Sequence, residues 1–265
     1  MKTVMTIAGS DSSGGAGIQA DIKTFAAFGV YGTTVITAIT AQNTQGVRRA
    51  DALSPEIVAA QFDAVVEDIG PDVVKTGMLG SASIVEVVAS KLREHNLTRL
   101  VLDPVLAASD GSALLEGDGF ALLREKLVPL ALIITPNVEE AGALVGRRLG
   151  GPEDVRRAAQ EIIDMGARNV VIKGGDATGP AIDLFYNGQQ YHEFAAARVD
   201  TTSTHGTGCT FSAAIAAAMA KGSAPRQAVA VAKAYVTKAM QMSFPLGKGN
   251  GPVHHFFRYW QDTTA

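Results

Sequence analysis

The chain has 265 residues, of which 47% are hydrophobic and 18% charged, with a net charge of −3 at pH 7. That length supports an ample core, the balance excludes a disordered chain, and scattered Lys and Arg residues give no electrostatic footprint for nucleic acid. The single cysteine, Cys209, excludes an internal disulfide and fits a reducing cytoplasm. Met1–Ser10 carries one Lys and a short apolar run leading into a Gly-rich loop, so no secretory leader is expected. The most apolar helix candidate, Thr210–Ala220, is far shorter than the roughly 20 residues of a membrane span.

In chain order, Val4–Ala8 reads as a buried strand ending at Gly9, and Ile18–Phe28 as a helix with Ile18, Ile22, Phe25 and Ala26 on one face. Thr33–Ile39 is the next strand, and polar Thr44–Leu53 reads as a short flap. Helix Pro55–Glu67, strand Val73–Thr76, helix Ala82–His95, strand Leu100–Leu102 and helix Gly119–Lys126 follow. Then come strand Leu132–Ile134, helices Val138–Leu144 and Glu153–Met165, and strand Val170–Lys173. Ala181–Tyr186 and Gln190–Ala195, joined at Asn187-Gly188, form a hairpin. Helices Thr207–Ala220 and Pro225–Met242 close the chain. Strand runs of Val, Ile and Leu without polar alternation predict an α/β fold with a largely parallel central sheet flanked by helices on both faces. No linker or repeat divides residues 1–265, which predicts a single domain.

In such sheets ligands collect at the carboxyl ends of the strands, where this chain concentrates its polar loops. These are Gly9–Asp21, Ala41–Thr44, Lys75–Met78, Asp103–Val105, Thr135–Glu140 and Lys173–Asp176. Gly15-Ala16-Gly17-Ile18-Gln19-Ala20 fits the dinucleotide pattern G-x-G-x-x-A, which wants an acid about 20 positions on. Residues 22–50 contain no Asp or Glu, so the loop reads better as a tight turn or as close backbone approach to a small substrate, with Asp21 as a polar anchor. No G-x-x-x-x-G-K-[ST] occurs.

Phosphoryl transfer needs positioning, cations and a proton acceptor, and the rim supplies all three. Asp103, Asn137 and Glu140 are oxygen donors suited to Mg²⁺ through its waters, and Lys173 suits phosphate oxygens. Asn137 with Glu140 three residues on also spells a helix capping box. In Thr204-His205-Gly206-Thr207-Gly208-Cys209, two glycines at a helix start can turn successive N–H groups onto one anion. The first helical turn predicts a Cys209 thiol more acidic than its free pKa of about 8.5. The same stretch also suits an ordinary N-cap before a buried cysteine. His205 receives no chemistry, and His254-His255, pointing apart in regular structure, read as structural.

Taken together, Gly9-Ser10-Asp11, Gly14-Gly15-Ala16-Gly17-Ile18-Gln19-Ala20-Asp21, Ala41-Gln42-Asn43-Thr44, Lys75-Thr76-Gly77-Met78-Leu79, Thr135-Pro136-Asn137, Lys173-Gly174-Gly175 and His205-Gly206-Thr207-Gly208-Cys209 resemble the hydroxymethylpyrimidine/phosphomethylpyrimidine kinases of thiamine biosynthesis. The likeness runs to the tail, Gly249–His255. It implies one ribokinase-like kinase domain with a small flap. It also implies a cytoplasmic homodimer that uses ATP and Mg²⁺ to phosphorylate the pyrimidine alcohol and then its monophosphate. By that resemblance Gln42 hydrogen-bonds the aminopyrimidine ring, while Gly9, Asp21, Met78 and Val105 line its pocket. Gly206, Thr207, Gly208 and Cys209 form the catalytic cradle, with Cys209 where most ribokinase-like enzymes carry Asp. Asn137, Lys173, Gly174 and Thr207 face ATP, and Asp103 and Glu140 the metal. A related vitamin B6 kinase and a non-catalytic pyrimidine sensor are the other readings. One departure is Ala108, where the family usually has Lys, which predicts a weakened second phosphorylation unless Lys75 or Arg48 compensates.

Overall fold

The computed structural model describes residues 1–106, 115, 118–174 and 181–260. Its strands are β1 (Thr3–Asp11), β2 (Tyr31–Asn43), β3 (Gly46–Ala52), β4 (Val73–Thr76), β5 (Leu100–Leu102), β6 (Ala131–Ile134), β7 (Val170–Ile172), β8 (Ala181–Tyr186) and β9 (Tyr191–Ala196). Its helices are α1 (Gly17–Ala27), α2 (Pro55–Asp68), α3 (Ala82–Glu94), α4 (Gly119–Leu122), α5 (Val138–Leu144), α6 (Pro152–Asp164), α7 (Thr207–Ala220) and α8 (Pro225–Gln241). The strands form one sheet in the order β3-β2-β1-β4-β5-β6-β7-β8-β9. Pairing is parallel from β2 through β1, β4, β5 and β6 to β7, and antiparallel at both margins. The predicted α/β architecture is therefore present, with the hairpin β8–β9 at one edge.

Each face of the sheet buries its own helical layer. Met5, Ile7, Val74, Leu100, Leu102 and Ile134 pack with Phe62 of α2, Val85 and Val88 of α3, and Ala158 and Ile162 of α6. Val4, Val73, Val101, Ile133 and Val171 point the other way, onto Phe25 of α1, Phe211 and Ile215 of α7, and Tyr235 of α8. This alternation, buried on both sides, is why the central strands are mostly Val, Ile and Leu, with polar Thr6, Lys75 and Thr76 buried among them. Helix starts follow local chemistry. Ser54 and Ser81 accept from Ile57 N and Ile84 N, and Pro55, Pro152 and Pro225 occupy first helical positions, where a missing N–H costs nothing.

Two elements depart from the sequence reading. The helix predicted for Gly119–Lys126 is α only to Leu122, then continues as a π turn over Leu123–Leu127 and a 3₁₀ turn over Val128–Leu130. Pro129 cannot donate and its ring crowds the carbonyl of Glu125, so the regular ladder cannot run on. The flap is a strand, since β3 pairs antiparallel with the end of β2 through Gln42↔Val47 and Ala38↔Ala52, with an irregularity between Ala41 and Gln42.

Candidate functional site

The loop after β1 and Lys173 after β7 reach the start of α7, Gln42 of β2 reaches the adjoining His205, and β1, β4 and β5 pack against that helix. That start is set by Gly206, whose φ of 77° lies in the left-handed region. A Cβ there would strike the carbonyl of Gly15, so the two glycine loops lie backbone against backbone. The first loop is wound around Asp11, whose carboxylate accepts from Ser13 N at 2.8 Å, Gly15 N at 3.1 Å and Ala16 N at 2.8 Å, and from Ser13 Oγ at 2.8 Å. His205 Nε2 lies 2.8 Å from Asp11 Oδ2. Burial, the largest influence, pushes this carboxyl up, but the His205, Ser13 and backbone donors together hold it well below the usual carboxylate range. At the helix start, N–H groups have no preceding helical carbonyl to bind, and the positive dipole end favours an anion. The Lys173 ammonium lies over this turn, with Nζ 3.3 Å from where a Cβ on Gly208 would sit.

Beneath the cradle runs a chain of buried charges. Lys75 Nζ donates to Asp21 Oδ2 at 2.8 Å and Oδ1 at 3.0 Å, and Thr6 Oγ1 donates to the same carboxylate at 2.5 Å. Both side chains of the pair are fully buried. Burial works against the Lys75 ammonium, yet Asp21, Cys209 and Asp103 hold it above the ordinary lysine value; burial pushes the Asp21 carboxyl up, with Lys75 opposing. Lys173 Nζ lies 3.3 Å from Asp103 Oδ1 and 3.8 Å from Glu140 Oε2, and these carboxylates outweigh burial to keep it charged. Asp103 also accepts from Thr135 Oγ1 at 3.1 Å and from Ser212 Oγ at 3.0 Å. Asn137 caps α5 in the predicted capping box, each arm 2.7 Å long, while Lys173 N donates to the Pro136 carbonyl at 2.8 Å. Gly174 N donates to Asp183 Oδ1, and a Cβ on Gly174 would strike the Ile182 carbonyl.

The residues expected to meet the acceptor lie across the same rim. Gly9 and Met78 are neighbours, since a Cβ on Gly9 would stand 3.2 Å from Met78 Sδ, and Met78 is fixed by its carbonyl accepting from Thr37 Oγ1 at 2.7 Å. Half-buried Gln42 closes this side, its backbone N and O both bound to Ser12 Oγ and its amide nitrogen 3.4 Å from His205 Nε2. Val105 follows β5, half-buried, its N–H bound to the Asp103 carbonyl. Thr207 opens α7, its hydroxyl held by the Thr204 carbonyl at 2.5 Å.

Three sequence expectations change. The Cys209 thiol is not acidified: burial pushes it up to about 11, Asp21 and Asp103 adding to the rise and only Lys75 and the Gly17 N–H opposing it. A first-turn position does not offset enclosure between two carboxylates. Asp21, expected to face the ring, is enclosed, and its carboxylate serves Thr6 and Lys75. Lys75, offered as compensation for Ala108, is fully buried in that pair and presents no charge to a phosphate; Ala108 itself lies outside the described residues. Sequence reasoning weighed His205 and gave it no chemistry, and passed over Asp11, Thr135 and Ser212. Asp11 had a signal, an acid followed by Ser and Gly residues whose N–H groups can close on it, whereas Ser212 reaches Asp103 only through the fold.

A family model described as phosphomethylpyrimidine kinase matches residues 11–254. The chain is 50% identical over 262 residues to the hydroxymethylpyrimidine/phosphomethylpyrimidine kinase of Rhizobium meliloti, covering 97% of this chain and 98% of that one. It is 47% identical over 254 residues to the thiamine biosynthesis bifunctional protein ThiED of Geobacter sulfurreducens, covering 96% of this chain and 52% of that longer protein, about half its length. Among solved structures, an ADP complex of Bacillus subtilis pyridoxal kinase superposes with a TM-score of 0.89 at 40% identity, over 96% of this chain and 97% of the other. The phosphomethylpyrimidine kinase of Clostridium difficile gives 0.82 at 41% identity, over 91% and 100%.

Proposed function

Because the chain belongs to the phosphomethylpyrimidine kinase family and has its ribokinase-like fold, we propose that it uses ATP to phosphorylate 4-amino-5-hydroxymethyl-2-methylpyrimidine and then the resulting monophosphate, in thiamine biosynthesis. The observation that carries this reading is the meeting on one rim of an acceptor side, Gln42 with Gly9 and Met78, and a cationic cradle, Lys173 over Gly206–Cys209. A side-chain amide offers a donor beside an acceptor, which complements an amino group beside a ring nitrogen. Phosphoryl transfer through a loose transition state asks chiefly for positioning and charge neutralisation, and the N–H groups opening α7 together with Lys173 supply both. The Cys209 thiol, protonated at neutral pH, is not a resident base; it completes the wall of the cradle, and the proton of the acceptor hydroxyl passes to a phosphate oxygen or to water as the ester forms.

ATP binding is supported by the ADP complex of the Bacillus subtilis relative, and Asn137, Lys173, Gly174 and Thr207 are the residues assigned to the nucleotide. The oxygen donors Asp103 and Glu140 flank a single cation position, at which Lys173 now lies, and this hard donor set fits Mg²⁺. Both Asp103 oxygens already accept from side chains and Glu140 Oε2 accepts the Asn137 N–H, so both carboxylates would hold the metal through its waters. When bound, the metal neutralises phosphate charge.

Among the described residues no helix is long and apolar enough to cross a membrane. A single kinase domain over residues 1–265, working as a homodimer in the cytoplasm on small molecules rather than nucleic acid, completes the proposal. A vitamin B6 kinase is the second reading, favoured by the fit to the pyridoxal kinase structure. The test is a product assay by mass spectrometry with MgATP and the pyrimidine alcohol. Monophosphate forms first and diphosphate follows more slowly, since Ala108 and buried Lys75 leave exposed Arg48 of β3 as the cation offered for the second step. Absence of both products refutes the assignment, and diphosphate forming as fast as monophosphate refutes the weakened second step.

A further inference from the structure

His205 has no part in the transfer as described, yet its ring stands where both glycine loops meet the acceptor pocket. Its Nε2 has three polar neighbours: Asp11 Oδ2 at 2.8 Å, Gln42 Nε2 at 3.4 Å and Ser13 Oγ at 3.5 Å. Asp11 is a carboxylate and can only accept, so at this separation the ring hydrogen lies on Nε2 and points at it. A protonated Nε2 cannot accept from the amide NH₂ of Gln42. At the other end of that amide, Thr40 Oγ1 lies 3.0 Å from the Ser10 carbonyl and 3.2 Å from Gln42 Oε1. The hydroxyl has one hydrogen, and the nearer carbonyl takes it, which leaves the Thr40 oxygen as an acceptor toward Gln42. Both neighbours therefore favour the same half-turn of the amide, with Oε1 toward His205 and NH₂ toward Thr40.

We propose that Asp11 and His205 form a positioning pair that fixes the order in which Gln42 presents its donor and acceptor to the substrate ring. The identity of that ring rests on the hydroxymethylpyrimidine reading. Reversing the amide reverses the edge of the ring it can pair with, and so turns the hydroxymethyl group away from the cradle. The device also links substrate to phosphate site, because His205 adjoins Gly206 and its backbone N–H is held by the Gly251 carbonyl at 3.0 Å. Its ring covers Gly15, where a Cβ would lie 3.2 Å from Nε2. Neither residue touches the reacting atoms; both act through Gln42 and the loops.

A double-mutant cycle of H205A and Q42A, with H205Q as the conservative variant, tests this by separating acceptor KM, ATP KM and kcat. H205A lowers acceptor kcat/KM about tenfold, kcat sharing the loss because a ring held in the reversed order does not react, while ATP KM stays within about twofold, and H205Q, which restores an N–H near the Nε2 position, stays within about threefold of wild type. On the Q42A background H205A adds less than about twofold. Equal effects with and without Gln42, or a parallel rise in ATP KM that H205Q does not rescue, overturn the proposal. The ¹⁵N spectrum of the wild-type protein reads the tautomer without any substrate: a hydrogen on Nε2 supports the pair, and an Nδ1–H tautomer overturns it. A wild-type enzyme that phosphorylates pyridoxal and not the pyrimidine removes the substrate reading alone, because the cycle and the spectrum are then read on that acceptor.

Discussion

At Cys209 two residue-scale forces compete. A first-turn position and Lys75 favour the thiolate, while burial, Asp21 and Asp103 favour the thiol, and they win by raising the group to about 11. The rate of iodoacetamide alkylation at Cys209 therefore keeps rising with pH up to about 11; a midpoint below pH 8 contradicts the burial argument. Gly206 makes the second residue-scale prediction. G206A must place a Cβ against the Gly15 carbonyl at φ 77°, so the two loops separate. Turnover falls on the order of 100-fold with the protein still folded by circular dichroism, whereas an Ala variant within about threefold of wild type removes the cradle from the account. The Asn137–Glu140 capping box was readable from spacing because it is local. The raised thiol was not, since both carboxylates that raise it come from other elements.

Elements set what these residues can do. α7 carries only small or apolar side chains from Thr210 to Ala220, all buried, because it is wedged between the sheet and helices α1 and α8. That burial fixes the height of its first turn relative to Lys75 on β4 and Asp21 on α1. D21N leaves the Lys75 ammonium without its ion partner inside the core, which costs about 3–5 kcal/mol in urea unfolding, while removing both charges as D21L/K75M recovers most of the loss. A double variant no more stable than D21N denies the pair its structural role. Most elements were legible within a residue or two, since covered parallel strands announce themselves as unbroken Val, Ile and Leu runs. The flap was legible as a polar segment but not as strand β3, whose pairing is supplied by Gln42, Thr40 and their neighbours on β2. The break after Leu122 had one signal, Pro129, which lies beyond the predicted end of that helix.

Across the whole molecule, the segment after α8 ties the site together. Lys248 N and Gly249 N donate to Thr44 Oγ1 at the flap turn, Gly251 holds His205, and His255 Nε2 meets Thr210 Oγ1 of α7 at 3.0 Å. Burial lowers His255 to about 3, so the unfolded chain, with an ordinary histidine near 6.5, binds the extra proton first. Stability from this group is complete above about pH 6.5 and is lost as pH falls toward 3, on the order of a few kcal/mol; Asp11, held low in the folded state, adds a further loss below about pH 4. H255Q flattens the upper part of that profile, and an unchanged slope between pH 6.5 and 4 shows that His255 is not buried neutral. The central claim is that this sheet rim is built for an aminopyrimidine alcohol. Its most direct test is kcat/KM for ADP formation with hydroxymethylpyrimidine, its monophosphate, pyridoxine and pyridoxal measured side by side. The highest value is expected for hydroxymethylpyrimidine, with measurable turnover of its monophosphate, and turnover confined to the pyridine acceptors, or absent with all four, contradicts that specificity.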